Sequence, residues 1–172
     1  MVNMGHPALR AEALSNGTVM TEQHSIDIQI LRLKDAHQFS PLLAAYAQAL
    51  KRGAPRRPDD FYAEQLLQDR TAEVLGARID GELVGFCIFY DVPEPVSGMR
   101  AGVSDHIYVH HLHRGKGIAK ALVDVLADQA EDRGWTKLHL HAPRHPEDGR
   151  KLYERIAAPA DWTSYIIRFD GR

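Results

Sequence analysis

Cysteine is nearly absent: Cys87 is the single thiol in 172 residues, so no internal disulfide can staple the fold. It lies in the apolar run Phe86-Cys87-Ile88-Phe89, which suits a buried, inert thiol. No apolar stretch approaches the ~20 residues of a membrane helix. The opening residues lack the apolar core of a secretory signal, so the cytoplasm is the expected location and no membrane is expected as a partner. An excess of one charge is missing too. With 21 Lys and Arg against 23 Asp and Glu, the formal net charge is -2, which argues against nucleic acid. There are no internal repeats and no low-complexity segments.

The remaining composition is that of an ordinary soluble domain, 44% hydrophobic and 26% charged. A chain this long buries roughly 70% of its unfolded surface, enough for a sizeable core. Residues 1–24 show no clear periodicity and read as a poorly ordered tail, with a short helix at Pro7–Leu14 as its one candidate element. Residues 25–172 read as a single domain.

Strict alternation over Ile26–Ile30 predicts a strand. Leu42, Leu43, Tyr46, Ala49 and Leu50 recur at helical spacing within a helix over Asp35–Lys51. Gly53, Pro55 and Pro58 end it, and a second helix spans Asp59–Gln68 with acidic residues in its first turn. Asp80-Gly81 signals a tight hairpin between strands Glu73–Ile79 and Leu83–Asp91. A strand over Ala101–Val109 leads through a loop into a helix over Gly117–Arg133, stopped by Gly134. A strand at Lys137–His141, a helix at Asp148–Ile156 and a last strand at Thr163–Phe169 complete the order β-α-α-β-β-β-α-β-α-β. Such a mixture implies an α/β fold, a mixed sheet covered by helices.

The segment Arg114-Gly115-Lys116-Gly117-Ile118-Ala119 carries the chemistry. Two glycines at a strand-to-helix junction leave backbone N–H groups uncovered, at the positive end of the following helix. That is a pocket for phosphate oxygens, with Arg114, Lys116 and Lys120 adding charge beside it. The pattern is not a nucleotide-hydrolase loop, because no Gly-x4-Gly-Lys-Ser/Thr sequence is present.

The element order and this loop together resemble the GNAT superfamily of acyl-CoA-dependent N-acyltransferases. Arg114, Gly117 and Ala119 stand where that family has Arg or Gln, Gly, and Gly or Ala. Ile107-Tyr108-Val109 matches its apolar-x-Val strand end, and Leu152-Tyr153-Glu154 matches its last helix. The likeness spans residues 26–169. Pro146 and Gly149 depart from the Asn and Ala common in the family, and Ala157–Trp162 replaces its usual Gly-Phe.

The resemblance implies that two parallel strands, Ala101–Val109 and Lys137–His141, splay apart around the pantetheine arm of acetyl-CoA. Backbone groups of Ile107 and Val109 would pair with the arm, and an N–H near Val109 would polarise the thioester carbonyl. Arg114, Gly115, Lys116, Gly117, Ile118 and Ala119 would hold the pyrophosphate. Tyr153 would protonate the leaving thiolate. The implied activity is acetyl transfer to a primary amine, on a small molecule or a protein; the alternative is a module that binds acyl-CoA without turnover.

An amine with pKa about 10.4 is neutral in only about 1 molecule in 2,500 at pH 7, so a base must take a proton. Alternation would put Asp105 on the face of Ile107 and Val109 and His106 on the other. Asp105 is the favoured base. His106 competes, since imidazole ordinarily titrates near neutrality. The histidines at 110, 111, 113, 139, 141 and 145 come with neither a cysteine partner nor a His-Glu-x-x-His helix, so no metal is expected. The sequence leaves a homodimer open.

Overall fold

Asp80 and Gly81 reverse the chain with φ of 50° and 82°, the left-handed pair that a two-residue hairpin requires. A sheet is built around that hairpin. The computed structural model describes residues 18–20, 25–50, 57–142, 147–167 and 169. Its strands are β1 (Thr18–Met20), β2 (Ser25–Ile30), β3 (Ala72–Ile79), β4 (Glu82–Glu94), β5 (Met99–Val109) and β6 (Trp135–Leu140), hydrogen-bonded in that spatial order. Neighbours pair antiparallel except β5 and β6, which run parallel.

Helices α1 (Ala36–Ala49), α2 (Asp60–Gln68), α3 (Ile118–Asp132) and α4 (Glu147–Ile156) complete the order. The Asp59 side chain caps α2 by accepting from the Tyr62 amide at 3.0 Å. Isolated helices of these lengths are marginal, so tertiary burial stabilises them. Ile118, Leu122 and Leu126 of α3 pack on one face of the sheet with Ile26, Leu75, Cys87 and Phe89. Phe39 and Leu42 of α1 and Ala63 of α2 pack on the other face with Val74, Phe86 and Tyr108. Each large side chain so buried contributes about 1.5–3 kcal/mol.

The chain divides into two compact units, Met1–His141 and Ala142–Arg172. The first holds the whole sheet and α1–α3. The second holds α4, followed by residues 157–167 without regular structure.

Two expectations change. Thr18–Met20, inside the expected tail, form β1 against Ser25–Asp27. The candidate helix at Pro7–Leu14 lies outside the described residues. The strand expected at Thr163–Phe169 is not formed among the described residues, and Tyr165 and Ile167 are 87% and 82% exposed. Alternation alone does not make a strand, which exists by pairing with a neighbour. Among the described residues, no helix is long and apolar enough to cross a membrane.

Candidate active site

Strand β5 carries the site, and its two edges do different things. Along β6 it is paired through Arg100, Gly102, Val103 and Ser104. The His141 amide donates to the Ser104 carbonyl at 2.8 Å. Residues 105–109 extend beyond that point with no β6 partner among the described residues. The parallel pair therefore opens into a fork.

On its other edge β5 stays paired with β4 as far as Val109. The His110 amide donates to the Val84 carbonyl at 2.9 Å. Antiparallel ladders alternate, so His106 and Tyr108 also bond toward β4. Ile107 and Val109 then turn their N–H and C=O groups into the fork. The Arg114 Nε donates to the Val109 carbonyl at 3.3 Å, which fits that direction.

A β-bulge sets this alternation. Ile88 faces His106 and Phe89 faces Ser104, so Asp105 is the extra residue. Ser104 contacts Cys87 on the α3 side. After the bulge, Ile107 and Val109 pack on that side, whereas Tyr108 packs on the α1–α2 side. Asp105 does not share the face of Ile107 and Val109, as simple alternation suggested. Its Oδ2 lies 3.3 Å from His106 Nε2. Asp105 Oδ1 is buried without a hydrogen-bond partner.

At the end of the fork the chain turns through His111–His113 into the glycine loop. Gly115 and Gly117 have φ of 76° and 79°, where a Cβ costs roughly 1–2 kcal/mol. Gly117 is the N-cap of α3, and no side chain caps it. The first helical bond runs from the Ala121 amide to the Gly117 carbonyl, so the amides of Ile118, Ala119 and Lys120 precede the ladder. Arg114, Gly115 and Lys116 are exposed. Lys120 is tied to Asp124 at 2.6 Å, which leaves Arg114 and Lys116 as the stronger anion partners. Uncapped amides at a helix start fit a pyrophosphate.

The opposite face of β5 borders a cavity of about 550 Å³ between α1, α2 and the sheet, within the size range of small-ligand sites. Its polar lining includes Tyr46, Arg57, Asp59, Tyr62, Tyr90 and His106. Burial, followed by the Asp105 carboxylate, pushes the Tyr90 hydroxyl up from its ordinary value. The Tyr46 hydroxyl lies 2.9 Å from His106 Nδ1. Helical spacing alone puts Tyr46 on an apolar helix face, because nothing local links it to a histidine sixty residues away. Tyr153, on α4, is partly exposed within the second unit. Among the described residues, no three His, Cys, Asp or Glu side chains group so as to hold a metal ion.

Residues 39–158 match the model of the acetyltransferase (GNAT) family. The chain belongs to that family. Its GNAT architecture is shared with a ribosomal-protein-alanine N-acetyltransferase from Brucella melitensis biovar Abortus 2308. The two are 73% identical over 85% of this chain and 100% of the other, with a TM-score of 0.78. The uncharacterized N-acetyltransferase YhfO of Bacillus subtilis (strain 168) is 25% identical over 76% of this chain and 87% of its own. An aminoglycoside acetyltransferase, HMB0005, from an uncultured soil metagenomic sample matches at 24% identity and TM-score 0.71, over 85% of this chain and 99% of its own. That last likeness is one of fold. The protein is thus a GNAT-type acetyltransferase with the acetyl-CoA-binding fold.

Proposed function

We propose that this protein moves an acetyl group from acetyl-CoA to a primary amine seated in the cavity beside α1 and α2. The acceptor is the α-amine of a protein N-terminus that begins with alanine. The fork carries this reading: Ile107 and Val109 lie on the edge of β5 that has no β6 partner among the described residues, and the cavity lies on a face of the same strand. The 73% identity to the Brucella protein supports the choice of acceptor.

Bound in the fork, acetyl-CoA supplies a thioester carbonyl open to aminolysis. The Arg114–Ala119 loop grips the pyrophosphate through amides at the head of α3 and the charges of Arg114 and Lys116. Ile107 and Val109 orient the pantetheine arm as a strand neighbour would. The Val109 N–H polarises the carbonyl where charge develops. Asp105 and His106 draw a proton from the acceptor. Tyr153 gives one to the departing thiolate.

Free-thiol release from acetyl-CoA, with a short peptide beginning with alanine as acceptor, tests the proposal. The expected result is thiol release matched by one acetyl group on the peptide, and none with the same peptide blocked at its N-terminus. Release with small-molecule amines alone would move the acceptor to that class. Saturable binding without transfer to any amine would leave an acyl-CoA-binding module instead.

A further inference from the structure

The bulge at Asp105 turns His106 toward the cavity, and both nitrogens of its ring are engaged there. Nε2 lies 3.3 Å from the Asp105 carboxylate, which accepts hydrogen and never donates it when ionised. In the tautomer with its proton on Nε2, toward this carboxylate, the ring presents a lone pair at Nδ1. That lone pair faces the Tyr46 hydroxyl at 2.9 Å, so Tyr46 donates to it. Tyr46 also lines the cavity. A proton leaving a ligand in the cavity reaches the basic nitrogen of His106 through the Tyr46 oxygen.

We propose that Tyr46 is the proton relay between the acceptor amine and His106, and that Asp105 holds the imidazolium so formed. This rests on the acetyl-transfer reading above and assigns its proton path. The substrate ammonium gives a proton to the Tyr46 oxygen as the Tyr46 hydroxyl proton passes to His106 Nδ1. The neutral nitrogen then bonds the acetyl carbon while the carbon–sulfur bond breaks. Its second surplus proton balances the one delivered to the thiolate, and His106 returns its proton to solvent.

Packing holds the relay in place. The Tyr46 ring meets His106 edge-on at 5.7 Å, Phe86 edge-on at 5.6 Å and Tyr108 tilted at 5.5 Å. Tyr46→Phe keeps these contacts and removes only the hydroxyl. The charged and titratable groups around His106 are Asp105 on its own strand, Tyr46 on α1, Tyr90 on β4, and Arg57, Asp59 and Tyr62 before and on α2.

The test is steady-state kinetics of wild type, Tyr46→Phe, His106→Asn and the double variant across pH, with melting curves and acetyl-CoA titrations on each. Tyr46→Phe is expected to lower kcat by at least about tenfold, and His106→Asn by on the order of 10²-fold. KM for acetyl-CoA and the melting temperature should stay near wild type. The double variant should be no slower than His106→Asn, because the two groups act in series. The shape of the pH–rate profile should change in both single variants. A Tyr46→Phe enzyme within twofold of wild type, or losses that multiply, would overturn the relay and leave acetyl transfer standing. A wild-type protein that transfers to no amine would overturn both.

Discussion

The amide of His141 donates to the carbonyl of Ser104 at 2.8 Å, and beyond that bond β5 and β6 share no pairing among the described residues. Below it the two strands are held closely; above it β5 keeps its other partner and offers a free edge. Asp105, His106, Ile107 and Val109, to which the proposed function gives roles, lie along that stretch.

Gly102 lets the strands close below the fork. A Cβ there would stand 2.2 Å from the Trp135 ring and 2.9 Å from Leu138. Gly102→Ala is expected to destabilise the fold by about 1–3 kcal/mol through overpacking. At about 2–4 °C per kcal/mol for a chain of this size, thermal unfolding would read a fall of several degrees. An unchanged melting temperature would show that Trp135 moves freely aside.

Cys87 is fully buried, and burial pushes its thiol up to about 12. Reaction requires thiolate and access. A colorimetric thiol reagent at pH 8 should find no reactive group in the native protein and one per chain in denaturant. Thiol release from coenzyme A can then be followed without background. Fast native labelling would contradict the packing of Phe86–Phe89.

Glu94 is 8% exposed. Hydrogen bonds from Ser97, then from the Val96 amide, and the charge of Lys137 hold its carboxyl down at about 2. A lowered folded value stabilises above the ordinary carboxyl value of 4.5 and is lost as pH falls toward about 2. Glu94→Gln should therefore be less stable than wild type at pH 7 in urea unfolding. The gap should narrow as pH drops below 4.5. A gap independent of pH would mean that the charge contributes nothing to the β4–β5 turn.

Tyr153→Phe is expected to lower kcat by on the order of 10²-fold and to leave acetyl-CoA affinity unchanged. Transfer kinetics beside a binding isotherm reads the two separately. Equal loss of both would make Tyr153 a binding residue rather than the acid.

The Arg114–Ala119 loop was legible because its signal is local: glycines at positive φ and basic residues mark a strand-to-helix corner in any context. The hairpin at Asp80-Gly81 was legible for the same reason. The bulge at Asp105 was not, since it arises from two residues of β5 opposing one of β4, and no residue type announces it. That one insertion changed which face Asp105 occupies. Tyr46 looked like core because helical spacing records burial and not the partner of a hydroxyl. Asp59 looked like a helix cap, which it is, and the cavity it borders forms only once α1 and α2 pack on the sheet. The strand expected at Thr163–Phe169 shows the converse: alternation was read where pairing is needed.

Calorimetric titration with acetyl-CoA, of wild type and of Gly117→Ala, tests the central claim most directly. Gly117 holds φ at 79° at the uncapped head of α3, and a Cβ there strains the turn. The expected result is saturable binding by wild type and weaker binding by Gly117→Ala, with the variant still folded. No detectable binding of acetyl-CoA by wild type at millimolar ligand would contradict the account.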